Sequence, residues 1–185
     1  MLDSVNEFQK KRYQSDKITV PVSTNLSWMD FYDEKIMNWL ERKCADTSIP
    51  SGLSRMEITE TSYAAIEADR SATLEALREA GILMLLDDFG SGYSSFGMLQ
   101  NYNFDIMKID MSFVRQIETN TKTRSIIRFI IEMAHTMDIK IIAEGAETKE
   151  QVEFLRDNGC DYIQGYYFYK PMPEKEFVKL LDAGR

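Results

Sequence analysis

Residues 82–90 read Ile-Leu-Met-Leu-Leu-Asp-Asp-Phe-Gly, an apolar run that ends in a pair of aspartates. Such a run predicts a strand that is buried on both faces, as in the parallel sheets of α/β proteins. Three further apolar runs end in acidic residues, at positions 56–60, 107–110 and 142–147. Parallel α/β proteins gather their functional groups at the carboxyl ends of their strands. Because converging carboxylates repel one another unless cations lie between them, we expect a metal-dependent site at that edge of the sheet.

Strand and helix patterns alternate along the whole chain. Apolar runs predict strands at 20–27, 53–60, 82–88, 105–110, 140–143 and 162–168. Helical spacing, capping motifs and glycine stops predict helices at 3–13, 33–45, 71–80, 94–100, 124–137, 148–159 and 173–181. Six strand–helix units in series indicate a parallel sheet. A complete (β/α)8 barrel typically needs about 250 residues, so the pattern predicts either a different α/β sheet or a barrel that lacks its first portion.

The composition excludes several classes of partner. The 185 residues suit one domain, and the net charge of −8 gives no electrostatic footprint for duplex nucleic acid or an anionic membrane. A small phosphorylated ligand can still bind if metal ions supply the positive charge. We expect no signal peptide and no membrane span. The two cysteines, Cys44 and Cys160, fit no metal or disulfide spacing, which favours a reduced, cytoplasmic setting.

Six short motifs follow one another in a defined order. They are Asn25-Leu26-Ser27, Glu57-Ile58-Thr59-Glu60, the stretch 87–95, Lys108-Ile109-Asp110, the stretch 143–148 and Gln164-Gly165-Tyr166. Each motif alone is weak, but together they closely resemble the EAL-domain family of cyclic di-GMP phosphodiesterases. The resemblance extends from about Val20 to Leu181.

The resemblance implies a (β/α)8 TIM-barrel-like fold, present here as a partial barrel of about six parallel strands. It also implies a site for two divalent ions, Mg²⁺ or Mn²⁺. The ligands implied for one ion are Asn25, Glu57 and Asp87, and those for the other are Asp87, Asp88 and Glu144. Oxygen ligands of this kind suit hard divalent cations, and a carboxylate that bridges two ions suits a two-metal phosphodiesterase.

The implied reaction opens one bond of cyclic di-GMP to give linear pGpG. The catalytic residues implied are Lys108, Glu144, Glu147 and Gln164. Lys108 would orient the attacking water or offset charge on the phosphoryl group, while Glu147 and Gln164 would support that water and its surroundings. Glu60 and Ser94 would hold the loop that follows the aspartate pair.

One departure from the family pattern bears on activity. The family takes its name from a Glu-Ala-Leu sequence on an early strand, and in this chain the triplet occurs as Glu75-Ala76-Leu77, within a predicted helix. We therefore expect residues 1–185 to form a single EAL-type domain whose first two barrel strands, with one metal-binding glutamate, are absent. Such a chain would be inactive or slow on its own.

Alternative interpretations remain open for individual residues and for the whole chain. Asn25 could cap a helix that starts after Ser27, the loop from Phe89 to Ser95 could be a tight connection, and His135 is interpreted as a helix-surface residue. Instead of an enzyme, the chain could be a non-catalytic module that binds a protein or senses the nucleotide. A weaker alternative is an unrelated (β/α) metal hydrolase.

The expected partners are cyclic di-GMP and further copies of the chain. An unclosed parallel sheet leaves apolar edges at Val20 and Tyr162, which favours association into a homodimer or larger oligomer. In the family, a sensor or a diguanylate cyclase domain can precede the EAL domain.

Overall fold

The structure is a computed structural model that describes residues 2–46, 48–59, 62, 71–90, 99–100 and 102–184. Its strands are β1 (Val22–Leu26), β2 (Ser54–Thr59), β3 (Leu83–Phe89), β4 (Ile106–Ile109), β5 (Lys140–Ala143) and β6 (Tyr162–Ile163). Its helices are α1 (Leu2–Gln14), α2 (Glu34–Cys44), α3 (Ser71–Glu79), α4 (Met111–Val114), α5 (Thr121–Thr136), α6 (Lys149–Asp157) and α7 (Glu174–Asp182), with a 3₁₀ helix at Trp28–Tyr32.

The predicted α/β alternation is confirmed. The six strands form one open parallel sheet in the order β1-β2-β3-β4-β5-β6, so each strand lies beside its neighbour in sequence. Within the described residues, no helix combines the length and the apolar character needed to span a membrane.

The chain forms two compact units, and the first comprises the described parts of residues 1–57, 65–83 and 171–185. Helix α1 is tied to the starts of β1 and β2, because the Gln9 amide donates hydrogen bonds to the carbonyl oxygens of Val20 at 3.3 Å and Leu53 at 2.6 Å. The buried Arg12 guanidinium lies 2.8 Å from the Asp182 carboxylate at the end of α7. These contacts fix both termini of the described chain to the first unit.

The second unit comprises the described parts of residues 58–64 and 84–170. Strand β4 is buried along its whole length and pairs in parallel with β3 and with β5. Helix α5 turns an apolar face to the core through Ile127, Ile130, Ile131 and Ala134. Helix α6 begins at the capping box that the sequence predicts, in which Thr148 and Gln151 satisfy each other's backbone N–H groups.

Several predicted boundaries are wrong. The strand predicted at 162–168 ends at Ile163, because the chain turns back and the Tyr167 N–H donates to the Ala146 oxygen at 3.0 Å. A helix after Ser27 was considered only in the alternative interpretation of Asn25, and the structure has a 3₁₀ helix there; α4 was not predicted. The helix predicted at 94–100 falls mostly outside the described residues, with 99–100 helical.

One open alternative is decided by the structure, and one prediction about the Glu-Ala-Leu triplet is confirmed. Asn25 is not a helix cap, because Ser27 occupies that position before the 3₁₀ helix and donates from its N–H and its hydroxyl to Asp30. The Glu75-Ala76-Leu77 triplet lies inside α3, as predicted, with Leu77 buried and Glu75 paired to Arg78 at 3.2 Å.

Candidate metal centre

The aspartate pair lies at an irregularity near the end of β3. Leu86 is paired with Met107 and Phe89 with Ile109, so β3 advances three residues where β4 advances two. In a regular strand, adjacent side chains point to opposite faces of the sheet, but a bulge of this kind changes their direction.

Asp88 also has an unusual backbone conformation. Its φ of 57° lies in the left-handed region, which aspartate adopts more readily than most residues. Its N–H donates to Asp87 Oδ1 at 2.9 Å. The bulge and the left-handed residue together bring two neighbouring carboxylates to one place at the carboxyl end of the strand.

A third carboxylate, Glu144, reaches the same place from the end of β5. Oxygen atoms of Asp87, Asp88 and Glu144 all lie within 4.8 Å of one another, and the three residues are half-buried. The Glu144 N–H donates to the Ile109 carbonyl oxygen at 3.1 Å, which continues the β4–β5 ladder up to this residue. Gly145, with a φ of 74°, then turns the chain away from the sheet.

Lys108 extends from β4 between two of these carboxylates. Its Nζ lies 2.9 Å from Asp87 Oδ1 and 2.7 Å from Glu144 Oε1, and its side chain is only 7% exposed. A buried ammonium requires such partners, since an unpaired charge in the interior is costly. With one cation and three carboxylates, the group has a formal charge of −2 when all four are ionised, which a divalent cation would offset.

The donor set fits a hard divalent cation. Carboxylate oxygens are the ligands that Mg²⁺ and Mn²⁺ prefer. Two oxygens on opposite sides of a Mg²⁺ ion, each at about 2.1 Å, are about 4.2 Å apart. The oxygens of the three described carboxylates lie within 4.8 Å of one another, so all three would be within reach of a single ion.

The other two predicted catalytic residues of the second unit lie near this group but have exposed side chains. The Glu147 carboxylate is 46% exposed and lies 3.5 Å from the Arg115 guanidinium. The backbone of Gln164 is hydrogen-bonded to the chain on either side of Glu144. Its N–H donates to the Ala143 oxygen at 2.9 Å, and its carbonyl oxygen accepts from the Ala146 N–H at 3.1 Å. The structure therefore brings together Asp87, Asp88, Lys108 and Glu144, with Glu147 and Gln164 on the adjoining chain.

The remaining predicted site residues belong to the first unit or lie outside the described residues. Asn25 is exposed on β1 and Glu57 is half-buried on β2, and both belong to the first unit. Glu60 and Ser94 lie outside the described residues.

Three residues that hold the loop after Glu144 were not predicted as site residues. Gln151 is buried, and its Oε1 accepts hydrogen bonds from the N–H groups of Glu147 at 2.7 Å and Thr148 at 3.1 Å. Its capping-box spacing gave a signal for the helix start but not for this role. Arg115 pairs with Glu147, and Glu118 accepts from the Thr148 hydroxyl, and neither has a local sequence signature.

A family model for the EAL domain matches residues 1–171 of this chain. Among curated relatives, the chain is 42% identical to the cyclic di-GMP phosphodiesterase NbdA of Pseudomonas aeruginosa over 112 residues, which is 60% of this chain and 14% of that protein. It is 32% identical to the signaling protein YkoW of Bacillus subtilis over 160 residues, 86% of this chain and 20% of that protein. The chain thus spans about a fifth or less of the length of these two relatives.

Solved structures show the same fold. The EAL domain of Mycobacterium smegmatis DcpA matches with a TM-score of 0.88 and 27% identity, covering 100% of this chain and 83% of that one. The manganese and cyclic di-GMP complex of Klebsiella pneumoniae BlrP1 matches with a TM-score of 0.75 and 25% identity, covering 88% of this chain and 43% of that one.

Proposed function

The chain belongs to the EAL domain family, and we propose that it acts in metal-dependent hydrolysis of cyclic di-GMP to linear pGpG. The observation that carries the proposal is the group of Asp87, Asp88 and Glu144, whose oxygens lie within 4.8 Å of one another around the Lys108 ammonium. A similar chain is named a cyclic di-GMP phosphodiesterase, and a similar structure holds manganese with the nucleotide. The assignment of residues 1–185 to one EAL-type domain is part of this proposal.

The three carboxylates would hold a Mg²⁺ or Mn²⁺ ion. A bound ion of this kind supplies Lewis-acid activation of the phosphodiester and of a water molecule. In the reaction, the water oxygen bonds to phosphorus, the bond from phosphorus to one ribose oxygen breaks, and that ribose oxygen receives a proton.

The chain's own residues would orient the reactants. Lys108 is held by two carboxylates, so its ammonium has a fixed position from which it can orient the attacking water or stabilise negative charge that develops on the phosphoryl group. Glu147 and Gln164 would support the water from the loop after β5 and from the end of β6. Glu60 and Ser94 would hold the loop that follows the aspartate pair.

A binding module is the second candidate, and the position of the Glu-Ala-Leu triplet favours it. Because Glu75 lies in α3 and pairs with Arg78, the triplet does not supply the strand glutamate that the family uses for a metal. We therefore propose that hydrolysis by this chain alone is slow, and that nucleotide binding without turnover is the alternative outcome.

The two candidates are separated by incubating the purified chain with cyclic di-GMP and Mn²⁺ and following pGpG by chromatography. Asp87→Asn is the control, because it removes the negative charge of a proposed ligand and keeps the shape of the side chain. Product that disappears in the variant supports hydrolysis at this site. Binding of the nucleotide without product supports the module, and neither binding nor product contradicts both.

A further inference from the structure

Two glycine turns beside the candidate metal centre pack against the same short helix, α4. Gly90 follows the aspartate pair with a φ of 93°, and a Cβ atom there would lie 2.8 Å from the Phe113 ring. Gly145 follows Glu144 with a φ of 74°, and a Cβ atom there would lie 2.7 Å from Met111 Cβ. Neither position has room for a side chain, because each glycine lies directly against a side chain of α4.

The residues after α4 add polar contacts to the second turn. The Arg115 guanidinium lies 3.5 Å from the Glu147 carboxylate. Glu118 accepts a hydrogen bond from the hydroxyl of Thr148, the residue that caps α6. Residues 111–118, called the clamp segment below, therefore contact the chain on both sides of the carboxylate group.

The clamp segment is itself held firmly. Asp110 caps α4 by accepting a hydrogen bond from the Ser112 N–H at 2.9 Å. Two residues of the segment, Val114 and Ile117, are fully buried. The segment also starts three residues after Lys108, whose ammonium joins Asp87 to Glu144. It is thus fixed to the strand that carries the cation and lies against the turns that follow the carboxylates.

We propose that the clamp segment sets the spacing of the carboxylate group, with Phe113 and Met111 as positioning residues for the turns after Asp88 and Glu144. The inference rests on the proposed function, because that spacing matters for the binding of a divalent ion. The carboxylates repel one another, and packing of both turns against one helix would limit how far they separate, in addition to the pairing of Lys108 with Asp87 and Glu144.

The first measurement is made on the metal-free protein. It is the rate of hydrogen–deuterium exchange in the peptides that contain Asp88–Gly90 and Glu144–Thr148. Phe113→Ala is expected to speed exchange of the first peptide at least threefold, and Met111→Ala that of the second. Phe129→Ala is the matched control, because Phe129 is 59% exposed on α5, and exchange of both peptides should stay as in wild type. If Phe113→Ala does not fold, Phe113→Leu keeps most of the volume and takes its place.

The second readout is Mn²⁺ affinity by calorimetry, with Mn²⁺ alone as the probe. Phe113→Ala and Met111→Ala are expected to weaken binding about tenfold, and Phe129→Ala less than twofold. Unchanged exchange in both clamp variants overturns the inference, whatever the wild type does with metal. Wild-type protein that binds no Mn²⁺ contradicts the proposed function, and the exchange data then still decide whether the clamp segment holds the turns.

Glycine variants test the contact from the other side. Gly90→Ala should weaken Mn²⁺ binding about tenfold, and adding Phe113→Ala should recover part of that loss, since the two changes act on one contact. Gly159→Ala separates the contact from backbone strain, because Gly159 has a similar φ of 83° and a Cβ atom there would lie at an ordinary 3.8 Å from the His135 ring. Equal losses in the Gly90 and Gly159 variants, with no recovery in the double variant, would count against the clamp.

Discussion

At the scale of single residues, the paired ammonium of Lys108 accounts for much of the behaviour of the carboxylate group. It lies within 3 Å of two carboxylates that would otherwise repel each other. Pairing of this kind is costly to break from one side, because the remaining partners keep their charge without compensation.

Replacement of this cation should therefore destabilise the metal-free protein. In the presence of a chelator, Lys108→Met is expected to lower the free energy of unfolding by roughly 3 kcal/mol, as for other buried pairs that lose one partner. Mn²⁺ should reduce the difference, because a divalent ion restores positive charge to the group. Urea unfolding measures both effects, with Lys122→Met on the exposed face of α5 as the control. Equal stability of the two variants in chelator would contradict this account.

A second residue, Asp161, should give the protein a measurable acid dependence. Burial acts to raise the pKa of Asp161, but hydrogen bonds from His135 and the Ile141 N–H, each at 2.9 Å, and the nearby charge of Lys140 outweigh it and lower the pKa. Because the folded-state pKa is depressed, the stabilisation is present above the unfolded value of about 3.9 and is lost as the pH falls through the folded-state value.

Asp161→Asn should thus lower the free energy of unfolding at pH 7 by about 1 kcal/mol, since hydrogen bonds to a charged group are lost. The gap from wild type should close as the pH falls below about 4. Urea unfolding between pH 7 and 2.5 tests this, with the exposed Asp157→Asn as a reference. A gap that stays constant over that range would rule out the proposed linkage.

At the scale of elements, the turn after β6 depends on a close backbone approach. A Cβ atom at Gly165 would lie 2.1 Å from the Ala146 carbonyl oxygen, a backbone atom that cannot move aside easily. We predict that Gly165→Ala costs about 3 kcal/mol of stability, at the upper end of overpacking effects. Gly159→Ala should cost only about 1 kcal/mol, from its left-handed backbone. Thermal unfolding of the two variants provides the comparison, and similar losses would show that the close approach carries little energy.

The strands of this fold were predictable where no tertiary contact ends the strand before the apolar run ends. Strands β3, β4 and β5 are predicted closely because buried parallel strands read as continuous apolar runs. The end of β6 was not predictable in this way. The aromatic residues 166–169 have strand-like composition, but Gly165 brings the chain against Ala146 and the ladder ends.

The candidate site was predictable in its residue types but not in its geometry. Carboxylates at strand ends are visible in the sequence, whereas the bulge that brings Asp87 and Asp88 together depends on the pairing of β3 with β4. Helix α4 has four residues, too few to show helical periodicity. The contacts of Arg115 and Glu118 join segments about 30 residues apart and leave no local pattern.

At the scale of the whole molecule, binding of a divalent ion should stabilise the folded state. A ligand that binds only the folded protein at 100 times its Kd adds about 2.7 kcal/mol. We predict that Mg²⁺ or Mn²⁺ at millimolar concentration raises the Tm, and that Asp87→Asn reduces the rise. Differential scanning fluorimetry with and without chelator measures it, and Ca²⁺-free buffer with monovalent salt at equal ionic strength is the control. An equal rise in the variant would place the stabilising ion elsewhere.

Association of the chain is a further expectation at this scale. The sheet order places β1 and β6 at its ends, and Tyr162 of β6 is 42% exposed. Exposed strand edges favour pairing with another chain, so we expect a homodimer or larger oligomer. Light scattering at about 100 µM tests this expectation, and a monomer at that concentration would contradict it.

The most direct test of the central claim is an anomalous diffraction map from crystals grown with Mn²⁺. We expect a manganese peak about 2.1 Å from carboxylate oxygens of Asp87, Asp88 and Glu144, next to Lys108. A map with no peak at these residues, or with its manganese bound only elsewhere on the chain, would contradict the claim that this group is a metal centre.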